Sequence, residues 1–408
     1  MDAPLIDLGT SDDVVLLVGL AVVTVMGIAG VVERTRHQRN LARLPLRISV
    51  NGSRGKSTVT RLLAGALAAG DYRPLAKTTG TEPRLLHAWS GEEEPVHRRP
   101  EGPNIGEQRA VMRAAVHHGA DSVVVECMAV TPEYQATFHE DLLGANVLLI
   151  TSVLADHLDV MGPTTADAAG VFAATVPEDG IVVVAPGPYV ERFRSTAEER
   201  GATFLLADPE LVEPDELRIF DHLVFAEHLA LALALCDHLG VPREQALAGM
   251  RAAPPDPFAT RLLPVGNRSA PALFVNAFPA NDPTSTLAIW EHVRERDYPA
   301  EKLVVIMNCR GDRLPRTQQF ASEVLPQLPI DTLVVVGEET QAVVRAVEEG
   351  AIELRELRDA TGEPPHDTVA ALDDELHDRV VLGVGNLHGA GLGIVEAFED
   401  RRVEEGGP

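Results

Sequence analysis

Lysine is almost missing from this chain. Only Lys56, Lys77 and Lys302 occur in 408 residues, and Lys and Arg together number 35 against 61 Asp and Glu, a formal net charge of -26. That balance excludes a general nucleic-acid binder, because phosphate contacts need a surplus of cationic side chains. It is the charge of a soluble surface. Cysteine is as scarce: Cys127, Cys236 and Cys309 lie far apart at no metal-ligand spacing, which excludes a disulfide framework and leaves three buried free thiols of a reducing compartment. Aromatic residues make up 4% of the chain while apolar residues reach 45%. That is enough to bury a large core in two or three domains, and too apolar for a disordered chain.

What the chain does have is one long hydrophobic run. "VVLLVGLAVVTVMGIAGVV", Val14 to Val32, carries no charge, and at ~1.5 Å per helical residue it covers most of a bilayer core. Asp7, Asp12 and Asp13 precede it, whereas Arg34, Arg36, Arg39, Arg43 and Arg47 follow. By the positive-inside rule this asymmetry places the remainder of the chain in the cytoplasm. A cleaved signal peptide would start basic, and this start is acidic. The expectation is a single-pass anchor, with a helix at about 14–32 inside an N-terminal segment 1–45 and the amino terminus outside; a buried core helix is the alternative.

Beyond the anchor, apolar runs alternate with helical patterns. "LRISVN" (46–51), "DSVVVEC" (121–127), "NVLLITS" (146–152) and "GIVVVA" (180–185) read as strands with both faces covered, the signature of a mostly parallel sheet. "KSTVTRLLAGALAAG" reads as a helix ending at Gly70. Three prolines in "AAPPDP" (252–257) mark a boundary. After it, "ALFVNAF" (272–278), "KLVVIMN" (302–308), "DTLVVVG" (331–337) and "RVVLGVG" (379–385) repeat the alternation. The fold class expected is α/β, with a central domain over 46–257 and a smaller Rossmann-like domain over 258–408. "EEEPVHRRPEGP" (92–103) reads as a charged loop, and "GVGNLHGAGLG" (383–393) as a strand-to-helix packing turn rather than a dinucleotide fingerprint.

The chemistry concentrates in "VNGSRGKSTVTRLL" (50–63). A strand, a glycine turn and a helix start make an anion site, because free backbone N–H groups and the helix dipole point at the ligand. The spacing is shorter than the common phosphate loop by two residues. Gly52, Ser53, Arg54, Gly55, Lys56, Ser57 and Thr58 form the cradle, with Lys56 reaching terminal phosphates and Ser57 placed to ligate Mg²⁺. Glu126 ends a strand of the same sheet, where it is either a metal ligand or a structural ion pair. "TSVLADHLDVMGPT" (151–164) offers Asp156, His157 and Asp159 after the next strand, and "KTTGTEPR" (77–84) supplies a hydroxyl-rich loop.

Together "NGSRGKST", "AKTTGTEPR", "NIGEQ", "VVVECMAVTPEYQ", "DHLDVMGPT", "NAFPANDPTST" and "NCRGDRLPR" resemble the ligase-subunit family of bacterial poly-γ-glutamate synthases, the capsule-type branch of the Mur ligase superfamily, over nearly the whole chain. The shortened loop G-[TS]-x-G-K-[ST] is that superfamily's. The resemblance implies a Mur-ligase-like central P-loop ATPase domain and ATP-dependent amide formation through an acyl phosphate. It implies Lys56, Glu126 and His157 as catalytic, one Mg²⁺ held by Ser57 and Glu126 with a hydroxyl of Thr78 or Thr79, and a second Mg²⁺ to which His157 belongs. Lys77, Arg84, Arg98 and Arg99 are candidates for the polymer's carboxylates. From the second domain, Asn276, Asn281, Asp282, Asn308, Arg310 and Asp312 are candidate nucleotide contacts; Asn276 stands where the superfamily has a ribose-binding aspartate. Closure of that domain would exclude water from the acyl phosphate. Many Mur ligases carry a carbamylated lysine after the DHLD segment, and no lysine lies between Lys77 and Lys302 here. Implied partners are glutamate, the growing poly-γ-glutamate chain and small membrane subunits, at the bacterial cell membrane with cytoplasmic catalytic domains; nucleic acid is not among them, and a homo-oligomer is open. Another Mur-type ligase, of folylpolyglutamate or peptidoglycan type, or a membrane-tethered P-loop switch remains the alternative.

Overall fold

The computed structural model describes residues 11–79, 83–96, 98, 102–256, 259–280, 282–295 and 302–403. Arg99 and Asn281 lie outside them. Two compact units emerge: Met1–Leu211 with Glu227–Pro254, and Val212–Ala226 with Pro255–Pro408. The second unit therefore begins with a short segment, Val212–Ala226, that comes before the last two helices of the first.

In the first unit, helix α1 (Ser11–Leu41) is longer than the apolar run. Its stretch Val14–Leu41 is long and apolar enough to cross a membrane, and side chains such as Leu16, Val23, Met26 and Val31 are exposed. The last turns are different. His37 and Leu41 are buried, and His37 Nε2 lies 3.1 Å from the carbonyl of Asp141 in a π-helical turn, Thr137–Leu143.

The strands are β1 (Leu46–Asn51), β2 (Pro74–Lys77), β3 (Arg84–His87), β4 (Glu92–Pro95), β5 (Ser122–Glu126), β6 (Val147–Ile150), β7 (Ile181–Val184) and β8 (Thr203–Leu206). Among the described residues they form one sheet in the order β4-β3-β2-β5-β1-β6-β7-β8. β2, β5, β1, β6, β7 and β8 are parallel, and β3 and β4 close one edge as an antiparallel ladder. Near-continuous apolar sequence makes the central strands, because helices cover both faces. Val123 and Val125 join Met112, Phe138 and Leu143 on one side of the sheet. β4, by contrast, is "EEEP", where the sequence suggested only loop. Its glutamates are tolerated because an edge strand is half solvent-facing and charge there discourages further pairing.

Helix α2 (Lys56–Ala69) follows β1 and stops at Gly70, as its sequence predicts, and α3 (Glu107–His117) precedes β5. The helix Arg243–Ala252 packs on α2 where Gly65 and Gly249 meet: a Cβ on Gly65 would stand 2.4 Å from the Gly249 carbonyl oxygen.

The second unit is a six-stranded sheet among the described residues, β9 (Leu262–Val265), β10 (Ala272–Asn276), β11 (Leu303–Cys309), β12 (Ile330–Gly337), β13 (Glu356–Thr361) and β14 (Val380–Gly385), in the order β13-β12-β11-β14-β10-β9. Only β9 is antiparallel. Val305 and Met307 pack on one face and Val304 and Ile306 on the other, so the sheet is buried on both sides.

Candidate active site

Ligand groups of the first unit gather at the carboxyl ends of β1, β5 and β6, where a parallel sheet presents loops and helix starts. After Asn51 the chain turns at Gly52 (φ 119°) and Gly55 (φ 82°). Both glycines are required by conformation and by space: a Cβ would lie 2.4 Å from Thr151 Oγ1 at Gly52 and 2.0 Å from His228 Nε2 at Gly55. The loop is held from β6. Ser53 N donates to the carbonyl of Ser152 at 2.9 Å, Arg54 N to Ser152 Oγ at 3.1 Å, and Ser53 Oγ exchanges bonds with the backbone of Leu154 at 3.1 and 2.9 Å. α2 then begins with no side-chain cap and no acidic residue in its first turn, leaving its amide dipoles for an anion. Lys56 Nζ folds back on the carbonyls of Gly52 (2.7 Å) and Ser53 (3.2 Å), as a lysine does when the loop itself is the nearest acceptor. Thr58 lies two positions further along α2.

Glu126 emerges at the end of β5 and is 4% exposed. Its Oε2 accepts from Ser57 Oγ at 2.8 Å and from the Thr79 amide at 2.7 Å. Three chain segments distant in sequence thus converge on one carboxylate oxygen. Thr79 reaches it through its backbone, while the Thr78 hydroxyl is buried and accepts from the amide of Arg84 at 3.2 Å. Gly52, Lys56, Thr79, Arg98, Glu126 and His157 line a cavity of about 260 Å³ that Asp156 also borders. His157 adopts the left-handed conformation (φ 49°), its ring more than half exposed and 3.8 Å from Asp156 Oδ1. Arg98 pairs loosely with Glu107 at 3.4 Å.

Lys77 is placed differently from the other candidates. It has no exposed surface, and its Nζ donates to Glu107 Oε1 (2.5 Å) and Gln108 Oε1 (3.3 Å). Burial lowers its pKa, against the pull of the Glu107 carboxylate. Its ammonium is thus occupied inside the fold, and it shares Glu107 with Arg98, which lines the cavity. Arg84 is half-buried at the start of β3, its backbone tied to Thr78 in both directions.

Two residues that sequence reasoning did not single out belong here. Gln135 is buried, accepts from Asn51 Nδ2 at 2.8 Å and donates to the carbonyl of Ala129 at 2.8 Å, while Asn51 Oδ1 accepts from the Gly52 amide at 2.9 Å. It braces the phosphate loop from below. The signal was present in Thr131-Pro132, an N-cap with proline at the first helical turn, which starts the helix that carries Gln135. His228, on the helix Ala226–His238, sets its ring against Gly55 and leaves no local sequence mark. Cys127 also borders the cavity, but burial pushes its thiol up to about 12, so it is no nucleophile.

The second unit presents its own polar group at the carboxyl ends of β10, β11 and β14. Asn308 Nδ2 donates to the carbonyls of Asn386 (2.5 Å) and His388 (2.9 Å), and Asn386 Nδ2 returns a bond to the Asn308 carbonyl at 3.1 Å. Arg310 pairs with Asp312 at 2.8 Å. Among the described residues, the buried side-chain oxygens of Asn276 and Asn308 have no hydrogen-bond partner. The glycine-rich segment after β14 is a strand-to-helix turn, where a Cβ on Gly391 would stand 2.5 Å from the Asn386 carbonyl oxygen.

A parallel sheet with a shortened phosphate loop after β1, followed by a second parallel α/β unit, defines the ligase fold shared by folylpolyglutamate synthases and Mur ligases. Folylpolyglutamate synthase from Thermotoga maritima superposes with a TM-score of 0.60 at 11% identity, over 91% of this chain and 94% of that one. The bifunctional folylpolyglutamate synthase/dihydrofolate synthase of Yersinia pestis, complexed with AMPPNP and Mn ion, gives 0.57 at 16% identity over 89% and 92%. Residues 262–401 match the family model of the poly-gamma-glutamate synthase CapB C-terminal domain. PGA synthase CapB of Bacillus subtilis (strain 168) is 45% identical over 390 residues, 96% of this chain and 98% of that protein. The chain belongs to the poly-γ-glutamate synthase CapB family.

Proposed function

We propose that this chain is an ATP-dependent ligase that forms the γ-glutamyl amide bonds of poly-γ-glutamate. The observation that carries the reading is the convergence of Ser57 Oγ and the Thr79 amide on Glu126 Oε2, beside the loop that bears Lys56. A γ-carboxylate oxygen of glutamate attacks the γ-phosphorus of ATP, ADP leaves, and the amine of the next glutamate displaces phosphate from the acyl phosphate. Both reactants of the first step are anions, so the site must offset their repulsion and fix them in line.

The uncapped start of α2 and the loop amides would hold the phosphates, and Lys56 would exchange its two carbonyl partners for the terminal phosphate oxygens. A carboxylate and a hydroxyl 2.8 Å apart form a hard oxygen donor pair that suits Mg²⁺. Ser57 and Glu126 would hold that ion, which when bound neutralises charge on the triphosphate. His157 and Asp156 stand across the same cavity as further ligand candidates, and Arg98 is the described arginine placed to meet a polymer carboxylate. Supporting a membrane location is α1, read as a single-pass anchor whose basic flank faces the cytoplasm, where small membrane subunits could engage it.

The test is incubation of membranes bearing the full chain with ATP, Mg²⁺ and labelled glutamate, followed by γ-linkage analysis. Lys56→Ala should abolish glutamate-dependent ADP release while leaving the fold intact, since among the described residues the bonds of Lys56 go to loop carbonyls. ADP release indifferent to glutamate would mark a nucleotide switch instead, and near-normal synthesis by the variant would remove the assignment.

A further inference from the structure

Three metal-competent side chains meet on the first unit away from the phosphate loop. His87 ends β3, Glu94 lies in β4 and His118 follows α3, and one ligand atom from each lies within 4.8 Å of the other two. The topology explains the meeting. β3 runs antiparallel to β2, so His87 pairs with Leu75 near the start of β2, at the opposite end of the sheet from the phosphate loop. α3 starts at Glu107, which holds Lys77 at the end of β2, and its 11 residues carry the chain roughly 16 Å to His118.

The cluster has one buried member and two exposed ones. His87 is 3% exposed, with Trp89 standing edge-on at 5.3 Å and the His118 ring at 4.6 Å and 77°. Its Nε2 is 3.1 Å from Glu94 Oε1. Glu94 and His118 are exposed. Arg73, beside them, holds its guanidinium 4.5 Å from the Trp89 ring and donates to the backbone carbonyls of Gly119 at 3.2 Å and His118 at 3.5 Å.

We propose that His87, Glu94 and His118 bind a borderline divalent ion of the zinc class. Two imidazoles and a carboxylate with a fourth position facing solvent form a nitrogen–oxygen donor set that favours Zn²⁺ over the all-oxygen-seeking Mg²⁺. Tetrahedral coordination puts donor atoms about 3.3 Å apart. The His87–Glu94 pair already has that spacing, and exposed His118 need close by at most about 1.5 Å. The ion ties the β3–β4 hairpin to the end of α3, and so stabilises the folded unit by mass action without entering the ligase chemistry.

The test uses the full-length chain in detergent, stripped with chelator and returned to excess Mg²⁺ so that the oxygen site is saturated. Calorimetric titration with Zn²⁺ should show one equivalent bound and a raised thermal midpoint, and Co²⁺ should give tetrahedral visible absorption. His118→Ala and Glu94→Gln, both at exposed positions, should each weaken uptake by at least about tenfold while leaving Mg²⁺-supported ligase activity unchanged. No Zn²⁺ uptake by the unaltered chain would overturn the proposal and leave His87–Glu94 as a plain hydrogen-bonded pair. Uptake undiminished in both variants, or lost only in Glu126→Gln, would overturn it equally by placing the ion elsewhere.

Discussion

Glu126→Gln separates catalysis from folding most cleanly. The carboxylate is almost fully buried, and one oxygen accepts two bonds, from Ser57 Oγ at 2.8 Å and Thr79 N at 2.7 Å. Glutamine has the same shape, and its amide oxygen can accept both bonds. What disappears is the charge. Without metal, the loss of charge assistance is about 1 kcal/mol and is offset by the smaller desolvation of a neutral amide, so the thermal midpoint should hold or rise. With metal the balance reverses. Replacing even an indirect partner of a metal site weakens binding about 10- to 100-fold, so a direct carboxylate ligand should raise the half-saturating Mg²⁺ concentration by at least that factor. The assay is glutamate-dependent ADP release at graded Mg²⁺, run beside thermal unfolding of the chelated protein. Unchanged metal dependence and turnover would refute the role of Glu126, and a variant that lost activity only because it unfolded would make the residue structural.

Two further outcomes follow from buried groups. Glu107→Gln strands Lys77 without its anion, and breaking such a pair costs about 3–5 kcal/mol, seen as a fall in thermal midpoint that the double variant with Lys77→Met should largely restore. Because the folded state already holds the Lys77 pKa below its ordinary value, the unfolded chain binds the proton that the folded one releases. Stability of Glu107→Gln should therefore climb as pH rises toward the ordinary lysine range, and a flat profile would contradict this. His139 is buried against Ser49 at 2.9 Å, and burial lowers its pKa to about 4 from 6.5. Between those values the unfolded state binds more protons, so about 3 kcal/mol of stability is present above pH 6.5 and lost as pH falls toward 4. His139→Gln should flatten that slope in urea midpoints measured across the range.

Much of the fold is legible because buried parallel strands write themselves as apolar runs. β1 occupies the predicted six residues, and α2 ends at the predicted glycine. Edge elements are not legible. β4 reads "EEEP" and β13 reads "ELRDAT", since one flank of each meets water and needs no apolar pattern. The return of Val212–Ala226 to the second unit leaves no mark either, because it is decided by contacts with distant residues such as the Asp221–Arg261 pair at 3.0 Å. At the site, Lys56, Ser57 and Glu126 could be read from strand ends and spacing. Gln135 and His228 act through side chains brought in by other elements, which periodicity does not encode.

The unbroken helix α1 has a consequence for where product appears. From Val32, the last residue of the apolar run, to His37, the first buried side chain where it docks, it stays helical, a stalk of roughly 8 Å. On the anchored reading the ligase rides at headgroup height on a rigid lever, so each added glutamate is presented next to the lipid surface, and any tilting of the span would swing the catalytic unit with it.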